Sequence, residues 1–135
     1  MTTGWVRRDV PGNALVETAL AFPILLMVAL GLIQFAIFVH AQLVVTGAAQ
    51  DGARIAAAED RGLAEGLTHT QSLLQAGLGE HAKGVTAWGS ADDDMVAIEA
   101  EGRLPTIIPW VVKTSLPLHA RSVVSKERFR VGSGP

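Results

Sequence analysis

Glu17 is the residue with the most to explain, because it stands at the lip of an apolar run. The 22 residues from Thr18 to Val39 contain no Asp, Glu, Lys or Arg. A carboxylate beside such a run costs on the order of 2.5–3.5 kcal/mol at a bilayer centre and less near the edge. Something must therefore compensate it. The cations nearest in sequence before it are Arg7 and Arg8, and a side chain that reaches back to the interface would pair with Arg8 or with lipid headgroups. No other residues assemble a reactive set. The histidines, His40, His69, His81 and His119, fall on separate elements without a metal-ligand spacing. Ser115 and Ser122 lack the Gly-x-Ser-x-Gly setting of a nucleophile, and no glycine-rich phosphate loop is present. Asp92, Asp93 and Asp94 would suit calcium by charge, but they lack the alternating ligands and distal Glu of a calcium loop and read as a solvated turn. The expectation is a protein that is not an enzyme, with no metal, cofactor or small-molecule substrate.

The element that must carry Glu17 is a helix. At about 1.5 Å per residue, the run from Thr18 to Val39 covers about 33 Å, close to the ~30 Å of bilayer hydrocarbon. Pro23 lies early in it and predicts a kink, because it removes one backbone hydrogen bond. The chain has 135 residues, 49% of them hydrophobic, and a net charge of −2. That balance supplies no basic stripe for phosphates and argues against nucleic acid. The absence of cysteine excludes a disulfide framework and thiolate metal sites. Arg7 and Arg8 place the N-terminus inside and the remainder outside by the positive-inside rule. Two processing signals fit less well. A twin-arginine signal would need an apolar continuation where Asp9-Val10-Pro11 stands. A secretory signal peptide has a shorter apolar core, of about 7–15 residues.

The segment Arg7-Arg8, then Gly12-Asn13-Ala14-Leu15-Val16-Glu17-Thr18-Ala19-Leu20-Ala21-Phe22-Pro23, resembles the class III signal of type IV pilin-like proteins. A second block, Ala48-Ala49-Gln50-Asp51-Gly52-Ala53-Arg54-Ile55-Ala56-Ala57, is similar to a segment of TadE-like proteins of tight-adherence (Tad) pilus assembly. The likeness covers Gly12 to Ala57 and is general beyond. It implies a prepilin peptidase that cuts after Gly12, with Asn13 as the new N-terminus and Glu17 as the fifth mature residue. It further implies that Glu17 meets the new amine of a neighbouring subunit and sets axial register. Thr18 stands where the family often has an aromatic residue.

Beyond the membrane the helical period continues, with Val44, Val45, Ala48, Gly52, Ile55 and Ala56 on one side and Thr46, Gln50 and Arg54 on the other. His40 and Gln42 are expected at the outer interface. Leu63, Leu67, Leu73, Leu74 and Leu78 predict an amphipathic helix ending near Gly84. Val85–Trp88 and Met95–Glu101 predict a hairpin around a Gly89–Asp94 turn, and Pro117–Lys126 a third strand. Arg121 or His119 would then face Glu99 or Glu101. Pro105 and Pro109 predict a crossing loop over Leu104–Trp110, with a helical turn near Trp110–Lys113. Gly132–Pro135 reads as a frayed end.

The expected fold class is α+β: a long type IV pilin-like stem, a second amphipathic helix and about three antiparallel strands. The expected organisation is a leader at 1–12, a transmembrane helix and stem at 13–58, and an extracytoplasmic head at 59–135. The resemblance implies a minor pilin or pseudopilin whose partners are other pilin-like subunits, a prepilin peptidase, the assembly platform and the cytoplasmic membrane. The rival expectation is an uncleaved single-pass anchor that carries a binding or accessory domain.

Overall fold

Inside an apolar medium a helix satisfies its backbone groups within the segment itself. In the computed structural model the first element is one helix, α1 (Gly12–Ala57), with Pro23 inside it. The structure describes residues 12–58, 60–106 and 114–126, with Asn13 as backbone only. The leader before Gly12, the turn expected near Trp110–Lys113 and the C-terminal Gly132–Pro135 lie outside the described residues. Thr18 and Thr46 donate their hydroxyls to the carbonyls of Ala14 and Gln42 at 2.9 and 2.8 Å, so neither disturbs the apolar helix with a free hydroxyl.

The chain divides into two units, Met1–Phe35 and Ala36–Pro135. The described residues of the first unit are all in α1. The second holds the rest of α1, a helix α2 (Leu63–Leu78), a 3₁₀ turn over Gly79–Gly84, and strands β1 (Val85–Ala91), β2 (Met95–Pro105) and β3 (Ser115–Ser125). Both sheet connections are antiparallel, in the order β1-β2-β3. Period-two alternation buries Val96, Ile98, Ala100 and Leu104 of β2, with Leu118 and Ala120 of β3, on one face. That face shares a core with Ala41, Val45, Ala48, Ala49, Ala53, Ala56 and Ala57 of α1 and with Leu74 and Leu78 of α2.

The α1 residues in this core are small because α1 and α2 come very close. A Cβ on Gly66 would lie 2.5 Å from the Gly52 carbonyl and 2.6 Å from the Ala56 Cβ. A Cβ on Gly52 would overlap the Thr70 hydroxyl and lie 2.8 Å from the Gly66 carbonyl. Thr70 is fully buried there and donates to the carbonyls of Gly66 and Ala48, at 2.9 and 3.3 Å. The buried stripe of α2 is thus Gly66, Thr70, Leu74 and Leu78, with Leu63, Leu67 and Leu73 at its half-buried margins. The leucine pattern alone had placed the stripe on those margins as well.

Several boundaries differ from expectation, each for a local reason. α2 stops at Leu78, not near Gly84, because Gly79 takes φ +56° and its N–H caps the Gln75 carbonyl. β1 continues past Trp88 to Ala91, since Gly89, Ser90 and Ala91 pair with Ile98, Ala97 and Val96 of β2. The turn shrinks to Asp93 and Asp94, closed by the Asp92 N–H donating to the Met95 carbonyl at 2.8 Å. β2 runs on through Leu104 to Pro105, its last residue, a position at which proline is tolerated in a strand. β3 begins two residues earlier than predicted, at Ser115. The register pairs Glu99 with Arg121 and Glu101 with His119, as expected, and the Arg121 Nε lies 3.1 Å from a Glu99 oxygen.

Candidate functional site: the apolar surface and carboxylate of α1

The large apolar side chains on the N-terminal part of α1 are exposed. Leu15, Leu20, Phe22 and Leu25 are 75%, 69%, 63% and 66% exposed. A core helix would bury a stripe of such side chains, whereas here they stand exposed around the helix. Among the described residues, α1 holds the one segment long and apolar enough to cross a membrane, and its most apolar stretch is not buried at all. The length and composition fit a membrane anchor.

Glu17 is exposed in the second turn of α1, amid these side chains. The ion pairs among the described residues are Arg61–Glu65, Lys83–Glu80 and Arg121–Glu99, and none includes it. Asn13 lies four residues before it, one turn away on the same helical face. Gly12 is exposed at the start of the helix, and a Cβ there would meet nothing within 4 Å. Packing among the described residues gives no reason for glycine at this position. Pro23 sits within α1, just past Phe22. The geometry therefore brings Gly12, Asn13 and Glu17 onto the first two turns of one helix, with Pro23 further along.

Farther along, Gln42 does not mark an interface by exposure alone. Its amide donates to the His119 carbonyl of β3 at 2.6 Å, so it ties helix to sheet within the second unit. His40 is exposed. Arg54 and Asp51 are both exposed and form no ion pair among the described residues, because each points to solvent from the uncovered side of α1. Sequence reasoning missed Gly66 and Thr70 as contact residues. The available signal was a pair of glycines, Gly52 and Gly66, inside helices, where each costs about 1 kcal/mol unless close packing returns it.

An exposed apolar helix continuing into an α+β head defines the class: an α+β protein whose long N-terminal helix has the make-up of a membrane anchor. Residues 12–54 match the family model described as TadE-like protein, so that segment is similar to this family. The match ends within α1, so the head is described by its structure alone. No curated protein and no solved structure matches.

Proposed function

We propose that this chain is a non-enzymatic minor pilin or pseudopilin that supports assembly or anchoring of a Tad-type pilus. The TadE-like match over residues 12–54 supports association with such a pilus. In this reading α1 inserts in the cytoplasmic membrane with the N-terminus inside and the head outside. A prepilin peptidase removes residues 1–12, α1 then packs laterally against other pilin-like subunits, and the assembly platform receives the complex. Residues 13–58 serve as anchor and stem, and 59–135 as head.

One observation carries the proposal: an exposed carboxylate, Glu17, standing on an exposed apolar helix without a cation among the described residues. Desolvation of that charge in a packed bundle is unfavourable unless an ammonium meets it. Cleavage after Gly12 would create one at Asn13. Because Asn13 and Glu17 lie one turn apart, the amine of one subunit reaches the carboxylate of the next only at one axial offset, which makes the pair a register device. The unconstrained space at Gly12 supports a glycine kept for the peptidase rather than for folding. Pro23 would bend the rod within the membrane, where neighbouring helices relieve the lost hydrogen bond.

The test is Glu17→Leu in cells, scored as surface pili. Strong loss of pili with the protein still in the membrane is the expected result, and pilus numbers equal to wild type would remove the register role. The presence of Thr18 at an often aromatic position favours a second reading, an uncleaved single-pass anchor carrying a binding domain. Intact mass of the membrane-extracted protein separates the two: an N-terminus at Asn13 supports the pilin reading, and one at Met1 or Thr2 the anchor.

A further inference from the structure

The apolar run of α1 ends inside the second unit. Its last residues, 36–39, belong to that unit, and two of them, Ile37 and Phe38, are half-buried against the core of the head. No spacer separates head from run: the turn of α1 that completes the run already carries head packing. Counted from Thr18, about 20 residues fill the ~30 Å of bilayer hydrocarbon, which brings the lipid boundary to Ile37. The headgroup layer adds about 5–7 Å, or about four residues of helix, and so reaches to Gln42.

Contacts within the unit fix which end of the head lies at that level. A Cβ on Gly52 would lie 3.2 Å from the Ile98 Cδ1, and the Gln42 amide meets the His119 carbonyl, opposite Glu101. Passing along α1 from Gly52 to Gln42 therefore passes along β2 from Ile98 to Glu101. The end of β2 at Pro105 and the start of β3 at Ser115 are paired and lie further the same way. α2 runs opposite to α1, since a Cβ on Gly66 would meet Gly52 and Ala56, and one on Gly77 would meet Val44 at 2.5 Å. The 3₁₀ turn after α2 thus arrives at the same end, where a Cβ on Gly84 would lie 3.3 Å from the Arg103 carbonyl.

Charge differs between the two ends of the head. The near end carries Lys83, held by Glu80 at 2.9 Å, and Arg103, which is exposed and forms no ion pair among the described residues. The far end carries Asp92, Asp93 and Asp94 in the turn between β1 and β2. An anionic surface attracts the first and repels the second. The sequence between Pro105 and Ser115 includes Ile107, Ile108, Trp110, Val111 and Val112, with Lys113 as its one charge, a composition enriched at lipid boundaries.

We propose that this near end is a lipid-contacting surface: the 3₁₀ turn and the adjoining ends of β2 and β3 sit in the headgroup layer of the membrane that α1 enters, with Lys83 and Arg103 against anionic lipid phosphates. The inference rests on the membrane insertion of α1 proposed above. It is independent of whether Gly12 is cut or Glu17 sets register.

The experiment uses the full chain in phosphatidylcholine vesicles, made with and without phosphatidylglycerol. The chain has no cysteine, so one fluorophore at a time is placed on His81→Cys or Thr114→Cys at the near end, on Ser90→Cys or Asp92→Cys at the far end, or on Leu25→Cys in the anchor. A nitroxide on the lipid headgroup is expected to quench the near-end labels at least about twofold more than the far-end labels, as so thin a headgroup layer requires. Phosphatidylglycerol should raise the near-end quenching, and Lys83→Glu combined with Arg103→Glu should abolish that rise. A nitroxide on the acyl chain should quench the label on Leu25→Cys. Near-end labels quenched no more than far-end ones, beside a quenched label on Leu25→Cys, would overturn the proposal and leave the anchor standing. An unquenched label on Leu25→Cys would remove the anchor and this surface with it. No rise with phosphatidylglycerol, or a rise that survives both charge reversals, would overturn the phosphate contact.

Discussion

The two ends of α1 are the same kind of helix with opposite surroundings. The large side chains Leu15, Leu20, Phe22, Ile24, Leu25 and Met27 are exposed, whereas between Ala41 and Ala57 the buried positions are Ala41, Val45, Ala48, Ala49, Gly52, Ala53, Ala56 and Ala57. The first stretch is almost wholly apolar, whereas the second alternates an exposed side bearing Gln50, Asp51 and Arg54 with a buried side made mostly of small residues. Where α1 must approach α2 and the sheet within the chain, alanine and glycine let the backbones come together, and Gly52 meets Gly66 and Thr70 directly. In the first unit the exposed leucine and phenylalanine side chains have the length and composition of a membrane anchor.

The contrast can be broken from either side. Gly52→Leu should be the most damaging change to folding, about 4 kcal/mol, since its side chain has only the Thr70 hydroxyl and the Gly66 backbone to displace. Urea melts of the detergent-solubilised chain, followed by tryptophan fluorescence, measure it. Leu25→Arg acts on the other end: insertion should weaken by on the order of 3 kcal/mol, read as a shift from membrane to soluble fractions, with the melt of the head unchanged. If Leu25→Arg lowers the melt instead, the exposed end is packed within the molecule and the contrast fails. Thr70→Val tests the join more gently. It removes the bonds to the Gly66 and Ala48 carbonyls and should cost about 1 kcal/mol. Arg121→Ala removes an ion pair that lies on the outer face of the sheet and should change stability by less than about 0.5 kcal/mol.

Much of the head was legible in advance because alternation is a local property. Val96, Ile98 and Ala100 read as one face of β2, and the Glu99–Arg121 pairing followed from the two strands lying side by side. The strand ends were less legible. Gly89, Ser90 and Ala91 have weak strand preference, and only pairing with Ile98, Ala97 and Val96 holds them extended. Leu104 looked like loop beside Pro105, yet it is buried at the end of the central strand. Gln42 reads as an interfacial polar residue until the His119 carbonyl is found beside it. Of the candidate site, Gly12, Glu17 and Pro23 were visible as a pattern along one helix, for which sequence spacing and spatial spacing are the same thing.

From the sequence alone came the long apolar helix, the carboxylate at its lip and the α+β class, because transfer free energy and periodicity are properties of neighbouring residues. Only the tertiary structure decided that α1 closes on α2 through Gly52, Gly66 and Thr70, and that the Gln42 amide reaches the His119 carbonyl on the outer edge of β3. Those facts depend on residues far apart in the chain meeting at contact distance, where steric fit and hydrogen-bond parity are set by the whole fold.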